Sequence, residues 1–335
     1  MPKAAIIGCG DVSVVHFEAL DGMDDADLVA VCDTDPGRRA AAQAAHGVPA
    51  FEDYRDMLAT AAPDVVHITT PHHEHAAMAI ECLRRGVHVV LEKPLAHTLA
   101  EGERLLAAAA ASTARIGVCF QNRYNAPVQA TRRLLDSGDL GRVLGASATV
   151  MWHRDADYYL SRPWRGSWGG GGGGLMMNQA IHTVDLLQWL LGDVVELSGS
   201  ASARALAGTI EVEDTAEFAA VHNSGARSVF YATLANTLNA PVTVDISTEK
   251  ATLSLRGDLT VTYDDGRSDV VRERAAGSGG RSYWGVSHAL LIADFYESLA
   301  QPGPFWIDAA EAAKSLRIVK ELYRQSYPGS EAKVS

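Results

Sequence analysis

The sequence predicts an α/β protein. Residues 1–121 form a doubly wound parallel sheet, and residues 122–335 form an α+β unit with a large, mostly antiparallel open sheet. Three observations carry this. Between residues 3 and 120, short apolar runs (KAAIIG, LVAVCD, DVVHITT, HVVLEK and ARIGVCF) alternate with helix-patterned segments such as PGRRAAAQAAH and EHAAMAIECLRRG, the order that builds parallel strands joined by helices. A glycine turn, GCGDVS at 8–13, follows the first run directly. Beyond Phe120 the alternation stops, and later segments follow one another through hairpin-like turns.

Local signals support the individual elements. Gly86 sits where a helix closes, and Thr98 with Glu101 three residues later forms a capping box that opens the next helix. After Phe120 come one helix, a stretch rich in Trp, Tyr and Arg, a glycine run from Gly169 to Gly174, and an apolar helix from about Asn178 to Leu191. ARSVFYATLA, PVTVDIS, ATLSLRG and LTVTYDD then alternate in polarity as half-buried strands do. Their open face is expected to pair subunits. Residues from about Ser287 to Tyr327 read as two amphipathic helices broken at QPGP. No internal repeat stands out.

Composition narrows the function classes. With 47% hydrophobic and 21% charged residues the chain is globular. A net charge of -12 and a pI near 5.4 argue against a nucleic-acid partner, because phosphate backbones are bound by clustered Lys and Arg. No apolar run approaches the roughly 18 residues a membrane span needs. MPKAAIIG leads into a strand rather than a signal peptide, so a cytoplasmic protein is expected. Cys9, Cys32, Cys82 and Cys119 stand singly in apolar patterns without CxxC spacing, which favours buried thiols over disulfides or a metal site.

The GCGDVS turn carries the first chemical signal. Gly8 and Gly10 stand where a chain must turn tightly and let its backbone approach a pyrophosphate, flanked by Cys9, Asp11 and Val12; the third position of the pattern is Ser13. Asp33 ends the next apolar run 23 residues beyond Gly10, where a carboxylate accepts the adenosine ribose hydroxyls and repels a 2′-phosphate. NAD is therefore expected, with NADP disfavoured. Arg38 and Arg39 follow; they read as solvated charges of a helix's first turns, or as groups that soften that preference.

Three further segments, GVHVVLEKPLAHT at 86–98, FQNRYN at 120–125 and WRGSWGGGGGGLMMNQAIHTVDLLQWLLG at 164–192, make the chain resemble the glucose-fructose oxidoreductase and inositol dehydrogenase (Gfo/Idh/MocA) family nearly end to end. The resemblance implies a Rossmann domain, an α+β domain whose open sheet makes homodimers or homotetramers, and hydride transfer involving a sugar, inositol or nucleotide-sugar hydroxyl. Two alternatives stay open: a glycosidase that uses bound NAD transiently, and a non-catalytic sensor.

A secondary alcohol releases hydride only when a base takes its proton. Lys93 is the leading candidate: it follows an apolar strand, precedes Pro94, and so lies at the sheet edge where open α/β folds bind ligands. Desolvation there lowers a lysine's pKa. Glu92 is expected to orient Lys93 or to line the cofactor site. Asn178, His182 and Asp185 fall at i, i+4 and i+7 of an apolar helix and share one face; His182 is expected to bind the reacting hydroxyl, with Asp185 fixing its tautomer. Many relatives have aspartate where this chain has Asn178, and its loss removes a charge that would stabilise the Lys93 ammonium. The resemblance makes Thr70, Pro71, His75 and Gln121 cofactor-lining residues. It makes Arg123, Tyr124, Trp164, Arg165 and His288 candidate substrate contacts. The run Gly169–Gly174 reads as flexible, ahead of a phosphate cradle.

Overall fold

The computed structural model describes residues 1–274 and 287–329, which divide into two compact units. The expected division at 121/122 needs correction. Residues 287–312 return to the first unit, alongside 1–96 and 100–121, while 97–99 and 313–329 join 122–274 in the second.

The first unit is built on β1 (Lys3–Ile7), α1 (Ser13–Asp21), β2 (Asp27–Cys32), α2 (Pro36–His46), β3 (Ala50–Phe51), α3 (Tyr54–Ala61), β4 (Val65–Ile68), α4 (His72–Arg84), β5 (His88–Leu91), α5 (Leu99–Ala111) and β6 (Ile116–Val118). Its six strands are parallel in the order β3-β2-β1-β4-β5-β6. Ala4–Ile7, Val65, Val66, Ile68 and Val89–Leu91 are buried, as unbroken apolar runs must be when helices cover both sheet faces. Helix α2 shows how the sequence sets its ends. The Asp35 side chain accepts the Arg38 amide, Pro36 fills the first turn, and Gly47 stops the helix at φ 68°.

In the second unit, α6 (Ala126–Ser137) leads to β7 (Val143–Met151), α7 (Ala156–Leu160), the short α8 (Trp168–Gly171) and α9 (Ile181–Leu191). Then come β8 (Val194–Ser202), β9 (Thr215–His222), β10 (Arg227–Thr233), β11 (Thr243–Thr248), β12 (Ala251–Arg256), β13 (Asp258–Tyr263) and β14 (Ser268–Val271). These strands order as β14-β13-β12-β11-β7-β10-β9-β8, antiparallel except where β10 meets β7. Alternation separates the faces: Phe218 and Phe230 pair across β9 and β10 and stack 4.9 Å apart on the buried side, while Val229 and Tyr231 stay 56% and 40% exposed. Helices α10 (Ser287–Ser298) and α11 (Ala309–Ser326) complete the fold, α10 packing on α1 within the first unit.

The helix expected from Asn178 does not begin as an α-helix. Met176–Ala180 form a π-helical turn before α9, which begins at Ile181.

Candidate active site

In the first unit, β1 and β4 are neighbours whose connections run to opposite sides, the switch point where open sheets leave a crevice at their carboxyl ends. Gly8 stands there at φ 92°, and a Cβ on it would lie 2.9 Å from the Thr69 carbonyl carbon, so only glycine lets the turn approach β4. The Thr69 hydroxyl bonds the carbonyls of Ile7 and Gly8, tying the two strand ends together. A Cβ on Gly10 would meet nothing within 4 Å, and Val12, the residue that leads into α1, offers no side-chain cap. Backbone amides at a helix start with open space before them suit a pyrophosphate.

Asp33 is more heavily engaged than its position in sequence indicates. Its Oδ2 accepts the Cys9 amide at 2.8 Å and Arg38 Nε at 3.0 Å; its Oδ1 accepts the Asp35 amide at 2.8 Å and Arg38 Nη2 at 3.1 Å. Burial opposes the charge, yet Arg38 and the two amides hold the carboxyl below its usual range. The four acceptor positions of the carboxylate are filled, so ribose hydroxyls reach it by displacing Arg38, whose side chain is 42% exposed. The Cys9 amide, expected to face a cofactor, is turned to Asp33 instead. Arg39 bonds the Asp33 and Thr34 carbonyls and Glu52, so neither arginine is a free solvated charge.

Lys93 is half-buried just beyond β5. The loop it occupies is fixed by His75, whose Nδ1 lies 2.8 Å from the Pro94 carbonyl and whose Nε2 lies 2.9 Å from the Thr70 carbonyl. Burial pushes the His75 pKa down while both carbonyls favour the protonated ring. Because His75 is fully buried, it clasps the Thr70 and Pro94 loops and does not itself face a cofactor. Thr70 and Pro71 remain half-exposed at the rim.

Glu92 points inward. Its Oε1 lies 3.1 Å from both His16 Nε2 and His288 Nε2, and His16 Nδ1 lies 2.9 Å from His67 Nδ1. His67 Nε2 lies 3.0 Å from the Tyr296 hydroxyl. His288 is 2% exposed, too buried for the expected substrate contact. Ligand atoms of His16, Glu92 and His288 fall within 4.8 Å of one another, close enough for a divalent ion, but those same atoms hydrogen-bond each other.

In the second unit, Arg123 and Asp185 form a bidentate pair, with Nε and Nη2 each 2.7 Å from a carboxylate oxygen, and Ser315 adds a bond at 2.9 Å. Both side chains are essentially inaccessible. Arg123 is thus a core anchor rather than a substrate contact, and Asp185 is turned to Arg123 and Ser315 instead of serving only the His182 tautomer. His182 and Asn178 are half-buried. The Asn178 and Gln179 amides donate to the Tyr158 hydroxyl at 3.3 and 2.9 Å. The Arg165 guanidinium stacks over the rings of Tyr158 and Trp164 at 4.6 and 5.7 Å. Tyr159 and Trp168 are buried and serve packing. Tyr124 is half-exposed, while Gln121, at the end of the first unit, is buried.

The glycine run is neither flexible nor a cradle. A Cβ on Gly172 would sit 2.1 Å from the His97 carbonyl oxygen, so the backbone is pressed against its neighbour and needs glycine. Glu213 accepts the amides of Gly174 at 2.9 Å and Met176 at 2.8 Å, and the Tyr323 hydroxyl at 2.7 Å. Lys320 Nζ, 1% exposed, donates to the Gly172 carbonyl at 2.9 Å, and burial brings its pKa from 10.5 to about 8. A lysine that holds its proton more weakly folded than unfolded costs stability below the folded pKa, and the cost is relieved as pH rises from about 8 towards 10.5. Native stability relative to Lys320→Met therefore rises by about 1 to 2 kcal/mol between about pH 7.5 and 9.5. Denaturant midpoints of both proteins check this; a constant difference would show an unperturbed ammonium.

Comparison with known proteins decides the family. Residues 3–120 match the oxidoreductase family with an NAD-binding Rossmann fold (GFO_IDH_MocA), and residues 128–254 match the GFO/IDH/MocA C-terminal domain. The chain belongs to the Gfo/Idh/MocA oxidoreductases. D-apiose dehydrogenase of Paraburkholderia graminis is 31% identical over 268 residues, 76% of this chain and 68% of the relative. Inositol 2-dehydrogenase 2 of Saccharopolyspora erythraea is 31% identical over 193 residues, 57% of this chain and 54% of the relative. The WlbA dehydrogenase of Bordetella pertussis, solved in complex with NADH and UDP-GlcNAcA, superposes with a TM-score of 0.84 at 32% identity, over 98% of this chain and 97% of that one.

This Gfo/Idh/MocA oxidoreductase is thus an NAD-dependent dehydrogenase by family. No helix among the described residues is long and apolar enough to cross a membrane. Several of its structured polar groups escaped sequence reasoning. His16 and His67 were visible as lone polar residues in the apolar patterns SVVHFEAL and DVVHITT, but Glu213, Ser315 and Lys320 are far in sequence from the groups they hold.

Proposed function

We propose that the chain oxidises or reduces a hydroxyl or carbonyl carbon of a sugar, inositol or nucleotide-sugar, with Lys93 as general base or acid and His182 binding the reacting oxygen. The observation that carries this is the position of Lys93: half-buried at the carboxyl end of β5, on a loop pinned by His75, with only β4 between it and the strand that ends in the glycine turn. The turn at Gly8–Val12 and Asp33 fit NAD, which when bound supplies the hydride acceptor. Lys93 takes the alcohol proton as hydride leaves carbon, and His182 steadies the oxygen on which charge develops. Trp164, Arg165, Tyr158 and Asn178, joined by stacking and hydrogen bonds, give a polar and aromatic surface suited to a sugar. The relatives' activities on D-apiose and inositol support this substrate class. Screening aldoses, polyols and nucleotide sugars for NADH absorbance at about 340 nm tests the reading; no turnover with any of these classes would overturn it.

The arginine on Asp33 bears on cofactor choice. NAD is expected to bind at least tenfold more tightly than NADP, about 1.4 kcal/mol, because Asp33 repels a 2′-phosphate. Asp33→Ser releases Arg38 and narrows the gap. Equal or tighter NADP binding by calorimetry in the unmodified protein would sink this. The exposed sheet face bearing Val229 and Tyr231 is the proposed subunit contact of a homodimer or homotetramer, which sedimentation would reveal.

A further inference from the structure

We propose that Arg154 and Arg165, drawn together on the Tyr158 ring, form a site for an anionic group, so that the substrate is a sugar carrying a phosphate or a carboxylate rather than a neutral aldose or polyol. This deepens the reading of the chain as a sugar oxidoreductase and rests on it.

Both guanidinium groups stand over one ring. Arg154 lies 5.2 Å and Arg165 4.6 Å from the Tyr158 centroid, and each also stacks on a second ring, Trp152 at 5.3 Å and Trp164 at 5.7 Å. Aromatic faces attract these cations but leave their charge in place. Arg154 has no carboxylate partner among the described residues: its Nη1 donates to the His153 carbonyl at 2.6 Å and to Asn239 Oδ1 at 2.9 Å. The acids beside it in the chain are turned elsewhere. Asp155 accepts the Tyr158 amide at 3.0 Å and caps α7, and Asp157 is exposed.

The bonds of Arg154 engage Nη1 and leave its Nε–Nη2 edge without a partner among the described residues. That edge is the flat fork that grips two oxygens at once. The chain uses it twice elsewhere: Arg123 presents Nε and Nη2 to Asp185, and Arg38 presents the same two nitrogens to Asp33. Arg154 is half-buried and tied back by Asn239, so the fork is aimed before a ligand arrives and loses little freedom on binding.

Neighbouring polar atoms fit a sugar that bears the anion. The Tyr158 hydroxyl accepts amide hydrogens from Asn178 and Gln179, which leaves its own hydrogen to donate. Gln179 is 8% exposed, and its Oε1, beside that hydroxyl, has no partner among the described residues; a sugar hydroxyl would satisfy it. The backbone under Arg165 is set as well. A Cβ on Gly170 would lie 2.8 Å from the Trp164 Cβ, and one on Gly171 would lie 3.0 Å from the Trp164 carbonyl oxygen, so the glycine run holds this turn at close quarters.

Equilibrium binding to the protein with saturating NADH tests the proposal without requiring turnover. Calorimetric titration is expected to show at least one of UDP-glucose, glucose 1-phosphate and glucuronate binding at least about tenfold more tightly than glucose and myo-inositol. The probe that binds best tells a diphosphate, a monophosphate and a carboxylate apart. Arg154→Gln is expected to weaken that probe about 10- to 100-fold while leaving the neutral sugars unchanged, and Arg154→Lys, which keeps the charge without the fork, to recover only part of the loss. Tyr158→Phe keeps the ring under both guanidinium groups, removes the hydroxyl donor, and is expected to cost the same probe about three- to tenfold. No binding of any anionic probe, neutral sugars binding as tightly, or Arg154→Gln weakening both kinds alike would overturn the proposal. Binding of an anionic probe that depends on Arg154, with no NADH formed from any sugar, would overturn the oxidoreductase reading and leave the anion site standing.

Discussion

Lys93→Met lowers turnover by roughly a hundredfold or more while NAD affinity stays largely intact, because general-base assistance contributes about 10² to 10⁴ in rate. Lys93 follows β5, whereas the amides of the glycine turn that suit the pyrophosphate follow β1, so its removal is expected to withdraw a proton acceptor and little cofactor contact. His182→Ala acts in the same direction but less severely, since a group that steadies the oxygen leaves the base in place. Steady-state kinetics on a substrate found by screening, with NAD binding followed by fluorescence, separates the two effects. A Lys93→Met protein with near-normal turnover would remove Lys93 from the mechanism.

Arg123→Leu destabilises the fold by about 3 to 5 kcal/mol, because it strands the Asp185 carboxylate in a site from which water is excluded. The arginine also stands over the Trp189 ring at 5.2 Å, so packing is lost along with charge. Replacing both partners, Arg123→Leu with Asp185→Leu, recovers much of the loss, since no buried charge is then left alone. Urea denaturation of the two variants is the measurement. If Arg123→Leu kept full stability and only raised KM for substrate, the residue would be a ligand contact after all.

Much of the site was legible in sequence because its signals are local. A glycine turn must follow a strand directly, an acidic residue must end the next strand, and a lysine before proline at the end of an apolar run falls at the sheet edge; each is set by neighbours in the chain. The same holds for the apolar runs of the parallel sheet and the alternation of the second. Polar side chains that answer to distant partners were harder to place. Arg123 and His288 have the composition of sugar ligands, yet one is closed in an ion pair with Asp185 and the other donates to Glu92. Sequence spacing put Asp185 on a face with His182, but not the bidentate pair with Arg123 and the Ser315 bond that take up its carboxylate.

The glycine run makes the distinction sharpest. Its composition reads as flexible when each residue is judged by its own backbone freedom, and the expectation failed because neighbours far along the chain, His97, Glu213 and Lys320, close on it. The sequence by itself determined where strands, turns and Lys93 fall, since steric and hydrogen-bonding demands between adjacent residues suffice for that. Only the tertiary structure decided which charges are buried and with whom, because desolvation and pairing depend on groups brought together from distant parts of the chain.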